Sequence, residues 1–100
     1  MPHLKLVWSP DALSGVQRVY RFLAEKDKDA AKAAAGAIRK QAALLTKFPS
    51  AGRPADDLDP EHRELLIPFG VSGYVLVYEV ETDSDSILIL AVRHQREAGF

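Results

Sequence analysis

The chain contains no cysteine. Disulfide staples and thiolate chemistry are thereby excluded, and a reducing cytoplasm is the expected setting. No apolar run approaches the roughly 18 residues that a membrane-spanning helix requires, so direct membrane binding is not expected. The amino terminus, MPHLKLVW, lacks a cationic start followed by a long apolar stretch, and no export signal is expected. There is no excess of charge of either sign, the net value being −1. A protein that grips phosphate backbones usually carries a net basic field, so strong intrinsic nucleic-acid binding is not expected either. Motifs of several reaction classes are also missing. Ser9 and Ser50 lack the Gly-x-Ser-x-Gly turn of a serine hydrolase. Gly52-Arg53-Pro54 reads as a turn and not as a phosphate cradle. His3, His62 and His94 stand at no ligand spacing, so neither a metal nor a cofactor is expected. The acidic run Asp56-Asp57-x-Asp59 lacks the rest of a calcium loop and reads as a solvated turn.

What is present is an ordinary globular composition, 47% hydrophobic and 27% charged over 100 residues. That length makes a single domain, residues 1–100, with one small core and little margin of stability. A bound partner would therefore add substantially to its stability. The charge is unevenly spread. Residues 1–54 carry +6, from ten Lys/Arg against four Asp/Glu, whereas residues 55–100 carry −7, from three against ten. Two solvated faces of opposite sign account for this without any special role.

Leu4, Leu6 and Trp8 alternate with His3, Lys5 and Val7, which predicts a first strand with one strongly apolar face. Ser9-Pro10-Asp11 then supplies an N-cap, a first-turn proline and an acid at the positive end of the helix dipole. A helix follows from about Pro10 to Glu25, with Leu13, Val16, Tyr20 and Leu23 on one stripe. Gly15 weakens its first turn slightly. After the polar break Asp27-Lys28-Asp29, an alanine-rich segment predicts a longer helix whose inner stripe is Ala31, Ala34, Ile38, Ala42 and Leu45. The short connection makes the pair an αα-hairpin, and the small inner residues allow close approach. Pro49 stops the second helix at Phe48. Residues 49–60 read as a loop.

Three strands complete the chain: a second from Arg63 to Ile67, a third from Tyr74 to Glu81 and a fourth from Ile87 to Arg93. They form an antiparallel meander. The fourth is apolar on both faces, which places it inside the sheet and leaves its free edge to the first strand. The expected fold is α+β: a sheet of order 2-3-4-1, counted by strand, with both helices on one face.

The candidate site is a set of arginines with aromatic neighbours. Arg53 lies in the loop after the hairpin, Arg63 opens the second strand, Tyr74 and Tyr78 lie on the third, and Arg93, His94 and Arg96 end the fourth. Guanidinium forks suit carboxylate or phosphate, and histidine moves protons near neutral pH. A structural role is open for each: Arg63 paired with Glu64, Glu79 or Glu81, and Tyr78 in the core with its hydroxyl at the surface. The charged and aromatic tail from Arg93 to Phe100 gains little from core packing and favours a partner contact.

The ordered set Trp8-Ser9-Pro10-x-Ala12, Leu45-x-x-Phe48-Pro49, Gly52-Arg53-Pro54, Arg63-x-Leu65, Tyr74-x-x-x-Tyr78-x-Val80 and Ile87-x-Ile89-Leu90-x-Val92-x-His94-x-Arg96 spans essentially the whole chain. It resembles the RelE/ParE superfamily of toxins from type II toxin–antitoxin modules, the ParE branch above all. The resemblance implies the two-helix, antiparallel-sheet fold derived above. It also implies a role in plasmid stabilisation and a ParD-like antitoxin that silences the toxin in a hetero-oligomer. ParE-like members poison DNA gyrase and need no catalytic group. RelE-like members cut messenger RNA on the ribosome, with a basic sheet and a carboxy-terminal Tyr or His. Here the sheet half is acidic and no tyrosine follows Tyr78, which favours gyrase and a protein that is not an enzyme. The nuclease alternative retains Arg63, Arg93 and His94, and a non-toxic binding module is a third possibility. The expected target-binding residues are Arg53, Arg63, Tyr78, Arg93, His94, Arg96 and Phe100. For the antitoxin, a groove on the helix pair is expected to involve Leu13, Val16, Arg18, Val19, Phe22 and Arg39, with an acidic amphipathic helix complementing the basic side chains. Val19 and Phe22 packed against the second helix is the alternative there, and pairing of an antitoxin strand with a sheet edge is a further mode.

Overall fold

Ser9 begins the first helix as its spacing predicts. Its backbone is extended and its Oγ accepts the Ala12 amide at 3.0 Å, with Pro10 in the first turn. The computed structural model describes residues 4–55, 60–70 and 72–95. His3, the Asp56-Asp57-x-Asp59 run, Arg96 and Phe100 lie outside the described residues. In chain order the elements are β1 (Lys5–Trp8), α1 (Pro10–Ala24), α2 (Lys28–Leu44), β2 (Arg53–Pro54), β3 (His62–Phe69), β4 (Ser72–Glu81) and β5 (Ser86–His94). A 3-10 turn, Thr82–Ser84, joins the last two strands.

Among the described residues the sheet has five strands, ordered β1-β5-β4-β3-β2. The sequence reading had four. It missed β2, two residues that pair antiparallel with β3 through Arg53 opposite Glu64 and Pro54 opposite Arg63. Such a segment is too short to show a period, and its proline reads as loop. The sheet is mixed, because β1 runs parallel to β5 while the other pairs are antiparallel. β5 lies between β1 and β4, in keeping with its apolar residues on both faces.

Both helices cover one face. Ile38, Ala42 and Leu45 of the second helical segment meet Leu76, Tyr78, Ile87, Ile89 and Val92 in one core, all fully or almost fully buried. The predicted inner stripe of α2 is buried throughout, and Asp27 caps the helix by accepting the amides of Asp29 and Ala30. The contact face of α1 differs from the expected stripe. Ala12, Gly15 and Val19 are buried, Val16, Tyr20 and Leu23 are half-buried, and Leu13 is exposed. Gly15 gives the reason: a Cβ built there would stand 2.4 Å from the Val92 carbonyl oxygen. The helix meets β5 through its small side chains, because backbone approaches backbone only where side chains are small. Large apolar residues then flank the seam and do not fill it.

A bulge in β5 sets which side chains reach which face. Val77 faces Ala91, but its neighbour Tyr78 faces Ile89, so Leu90 is extra. Before the bulge the odd residues Ile87 and Ile89 point to the helices; after it the even residues Val92 and His94 do, opposite Leu76 and Tyr74. Arg93 therefore shares the open face with Val75 and Leu66. The carbonyl of Leu90 accepts the Ser9 hydroxyl at 3.0 Å, so the helix cap also satisfies the bulge.

Candidate functional site

The arginine and aromatic set divides between the two faces. Arg53 and Arg93 are on the open face and exposed. Arg53 donates through Nε and Nη2 to Glu64 Oε1, both at 2.9 Å, with 63% of its side chain exposed. Register puts Arg53 and Arg93 three strands and two residues apart, roughly 16 Å between backbones at standard strand spacing. Exposed Leu66 lies in the row of Arg93, on the strand beside that of Arg53, and exposed Val7 lies on the same face of β1.

Arg63, Tyr78 and His94 belong to the helix-covered face. Tyr78 is fully buried. Its hydroxyl donates to the Pro49 carbonyl at 2.7 Å and accepts the Gly52 amide at 2.9 Å. The expectation that Tyr78 touches a target is thus corrected: it presents no surface, and its hydroxyl ties down the turn after α2. Arg63 does the same from the neighbouring strand. Its Nε and Nη2 donate to the Gly52 carbonyl at 3.1 and 2.5 Å, and Nη2 reaches the Ser50 carbonyl at 3.4 Å. The carbonyls of a turn, and not Glu64, Glu79 or Glu81, hold this guanidinium.

His94 is half-buried and meets the Tyr74 ring edge-on, centroids 5.5 Å apart and planes at 82°. Tyr74 in turn leans on Phe69 at 5.9 Å. Burial pushes the Tyr74 phenol above its ordinary range. Arg63 and His94 stand two strands and four residues apart, roughly 16 Å by strand geometry, and Arg93 points to the other face. The set Arg63, Arg93 and His94 therefore does not converge on one scissile phosphate. Adjacent Arg93 and His94 point to opposite faces by strand alternation, and the bulge decides which face each takes: His94 goes to the helix side with Arg63, and Arg93 to the open side.

A groove of about 390 Å³ runs between the helices, lined by Val16, Gln17, Tyr20 and Arg21 of α1 and Ala35 and Arg39 of α2. Its floor is apolar and two guanidinium groups stand on its walls. Val16 and Arg39 were expected there. Leu13 and Arg18 are exposed on α1 but do not line it. Val19 is a core residue, 5% exposed, and does not line the groove. Phe22 is 61% exposed, outside the groove, with the Lys26 ammonium 5.5 Å from its ring centre. Gln17, Tyr20 and Ala35 were missed as groove residues. Their signal was the i, i+1, i+4, i+5 set 16-17-20-21 facing the i, i+4 pair 35-39 across an antiparallel hairpin.

At the opposite charge extreme, Glu61, Glu79, Glu81 and Asp83 rim a shallow polar cleft of about 200 Å³ at the β4 end. Burial raises the Glu79 carboxyl above its ordinary range, helped by a hydrogen bond with Glu61 and by the charges of Glu61 and Glu81; His62 opposes the rise.

A family model described as the ParE toxin of the type II toxin–antitoxin system parDE matches residues 6–99. No curated protein matches the chain. Among solved structures, the chain is similar to one from the chromosomal ParDE system of P. aeruginosa, at 21% identity and a TM-score of 0.74, covering 92% of this chain and 96% of that one. It is similar to a chain of the RelBE2 toxin–antitoxin complex from Mycobacterium tuberculosis, at 17% identity and a TM-score of 0.61, covering 94% and 100%. A mutant of the E. coli toxin RelE in the free state gives 17% identity and a TM-score of 0.67, covering 98% and 88%. At these identities the structural likeness establishes the fold.

Proposed function

The chain belongs to the ParE toxin family of type II toxin–antitoxin systems, and from that premise we propose that it poisons DNA gyrase and is silenced by a cognate ParD-like antitoxin. The observation that carries gyrase over messenger RNA is the division of the basic residues between the faces. Cleavage of RNA needs a proton-transfer group and cations gathered around one phosphate. Here Arg63 is spent on a turn, His94 packs on Tyr74 and Arg93 faces away from both. Holding a partner needs only a surface, and the open face offers one: Arg53 and Arg93 around the apolar Leu66.

The antitoxin docks on the hairpin. The groove between α1 and α2 accepts the apolar side of an amphipathic segment, and Arg21 and Arg39 favour carboxylates beside it. Arg18 and Phe22 border the same helix surface.

Purified protein with gyrase, ATP and supercoiled plasmid is the direct test, run beside a ribosome–mRNA cleavage assay. The expected result is trapped double-strand breaks and intact transcripts, with the breaks abolished by antitoxin. Cut transcripts without trapped breaks overturn the gyrase reading in favour of the RelE-type nuclease. Neither effect, with antitoxin still bound, leaves a binding module.

A further inference from the structure

Among the described residues Tyr78 is the bulkiest fully buried side chain, yet it carries a hydroxyl that phenylalanine would not have to satisfy. A buried hydroxyl is unfavourable unless both its donor and acceptor are used, and here both go to one turn. Arg63 lies directly opposite Tyr78 in the β3–β4 ladder and grips the same turn. Between them the two side chains hold the carbonyls of Pro49, Ser50 and Gly52 and the amide of Gly52. Gly52 is what lets them close in: a Cβ there would stand 2.7 Å from the Tyr78 ring and from the Glu64 carbonyl oxygen.

The next residue is Arg53. It sits in a strand of two residues that ends at Pro54, so its own ladder supplies little to fix register. A slip of one residue would send its side chain to the helix side. We infer that Tyr78 and Arg63 are positioning residues, clamping the Pro49–Gly52 turn so that Arg53 enters the sheet in the register that delivers its guanidinium to the open face. The inference rests on the reading that the open-face cations meet the target. It reassigns two residues expected to touch that target to a role one step behind it.

The test uses Tyr78→Phe, with Arg63→Met and Arg63→Lys as a second series should Tyr78→Phe fail to fold. Three readouts separate the roles: exchange of the Gly52 and Arg53 amides, antitoxin affinity, and the toxin concentration that traps gyrase breaks. Loss of the clamp is expected to speed Gly52 exchange by at least about tenfold, with amides of α1, α2 and the centre of β5 unchanged. Potency on gyrase falls as far as it does in Arg53→Ala, and antitoxin affinity stays put. Arg63→Lys, which keeps a donor for the Gly52 carbonyl, regains most of what Arg63→Met loses. In an Arg53→Ala background, Tyr78→Phe causes no further loss, because it acts through Arg53. Wild-type potency in Tyr78→Phe overturns the inference. So does an additive loss on top of Arg53→Ala, or an equal fall in antitoxin affinity, since each marks a general structural defect. If Arg53→Ala and Arg93→Ala both leave potency unchanged while Gly52 exchange still rises, the target surface itself has been misplaced, and the clamp's proposed role falls with it.

Discussion

Replacing Ser9 by alanine tests how the helix layer is joined to the sheet. The Ser9 hydroxyl does two things at once: it accepts the Ala12 amide at 3.0 Å and donates to the Leu90 carbonyl at 3.0 Å. Main-chain bonds from Ser9 to Ile89 and from Leu13 to Ser9 survive the change. Loss of a helix cap costs about 1 kcal/mol. The Leu90 carbonyl sits on the bulge and is only partly buried, so leaving it short of its donor adds about 1 kcal/mol, the low end for an unsatisfied group. The two share one atom and one neighbourhood, so the total is about 2 kcal/mol, which for a domain of this length lowers Tm by roughly 8–16 °C. Ser9→Asp separates the halves. A carboxylate still caps the helix, but it has no proton for Leu90 and sets negative charge against a carbonyl oxygen. Ser9→Asp should therefore fall well below wild type despite being a good cap, and Ser9→Thr should stay close to wild type. Thermal and urea unfolding followed by circular dichroism measure all three. If Ser9→Asp is as stable as wild type, the bond to the bulge contributes nothing and the reasoning fails.

Other consequences follow from the same geometry. Gly15→Ala should destabilise the fold although alanine is the better helix former by about 1 kcal/mol, because its methyl would press on the Val92 carbonyl; a gain in Tm would show that α1 does not sit as close to β5 as described. Glu79→Gln should raise stability near neutral pH. The folded-state value of Glu79 lies above its ordinary 4.5, so its stabilising contribution is complete below that value and is lost as pH rises through the raised one. The difference in Tm between variant and wild type should accordingly grow from about pH 4 upward, and a flat difference would refute the assignment. Arg21→Glu and Arg39→Glu should slow antitoxin association and weaken its dependence on salt while leaving Tm nearly unchanged; unaltered association kinetics would move the antitoxin off this groove.

Much of the fold was legible because its signals are local. Ser9-Pro10-Asp11 supplies a cap, a first-turn proline and an acid for a helix start, the alanine-rich segment has few alternatives to helix, and an apolar run as short as Ile87 to Val92 after turn residues suits a strand inside a sheet. The candidate site was legible in part. Arg53 and Arg93 are surface cations, as their sequence context suggests, and Val16 and Arg39 do line a groove. Tyr78 and Val19 were misread because a side chain's type does not say which way its backbone turns. Arg63 was expected at the target surface, with carboxylate partners as its structural alternative, because the pull of a turn's carbonyls is invisible until the chain folds back.

The sequence by itself determined the family, the two capped helices, the small-residue face of α2 and the central place of β5, since each rests on contacts within a few residues or on a pattern repeated along one element. Tertiary structure alone decided that Leu90 bulges, that Arg93 consequently takes the open face and His94 the helix side, and that Tyr78 reaches a turn 26 residues away at Gly52. The physical reason is parity. In a sheet one inserted residue reverses the facing of everything beyond it, and here the Ser9 hydroxyl bonds the carbonyl of that residue while Gly15 packs two residues beyond it.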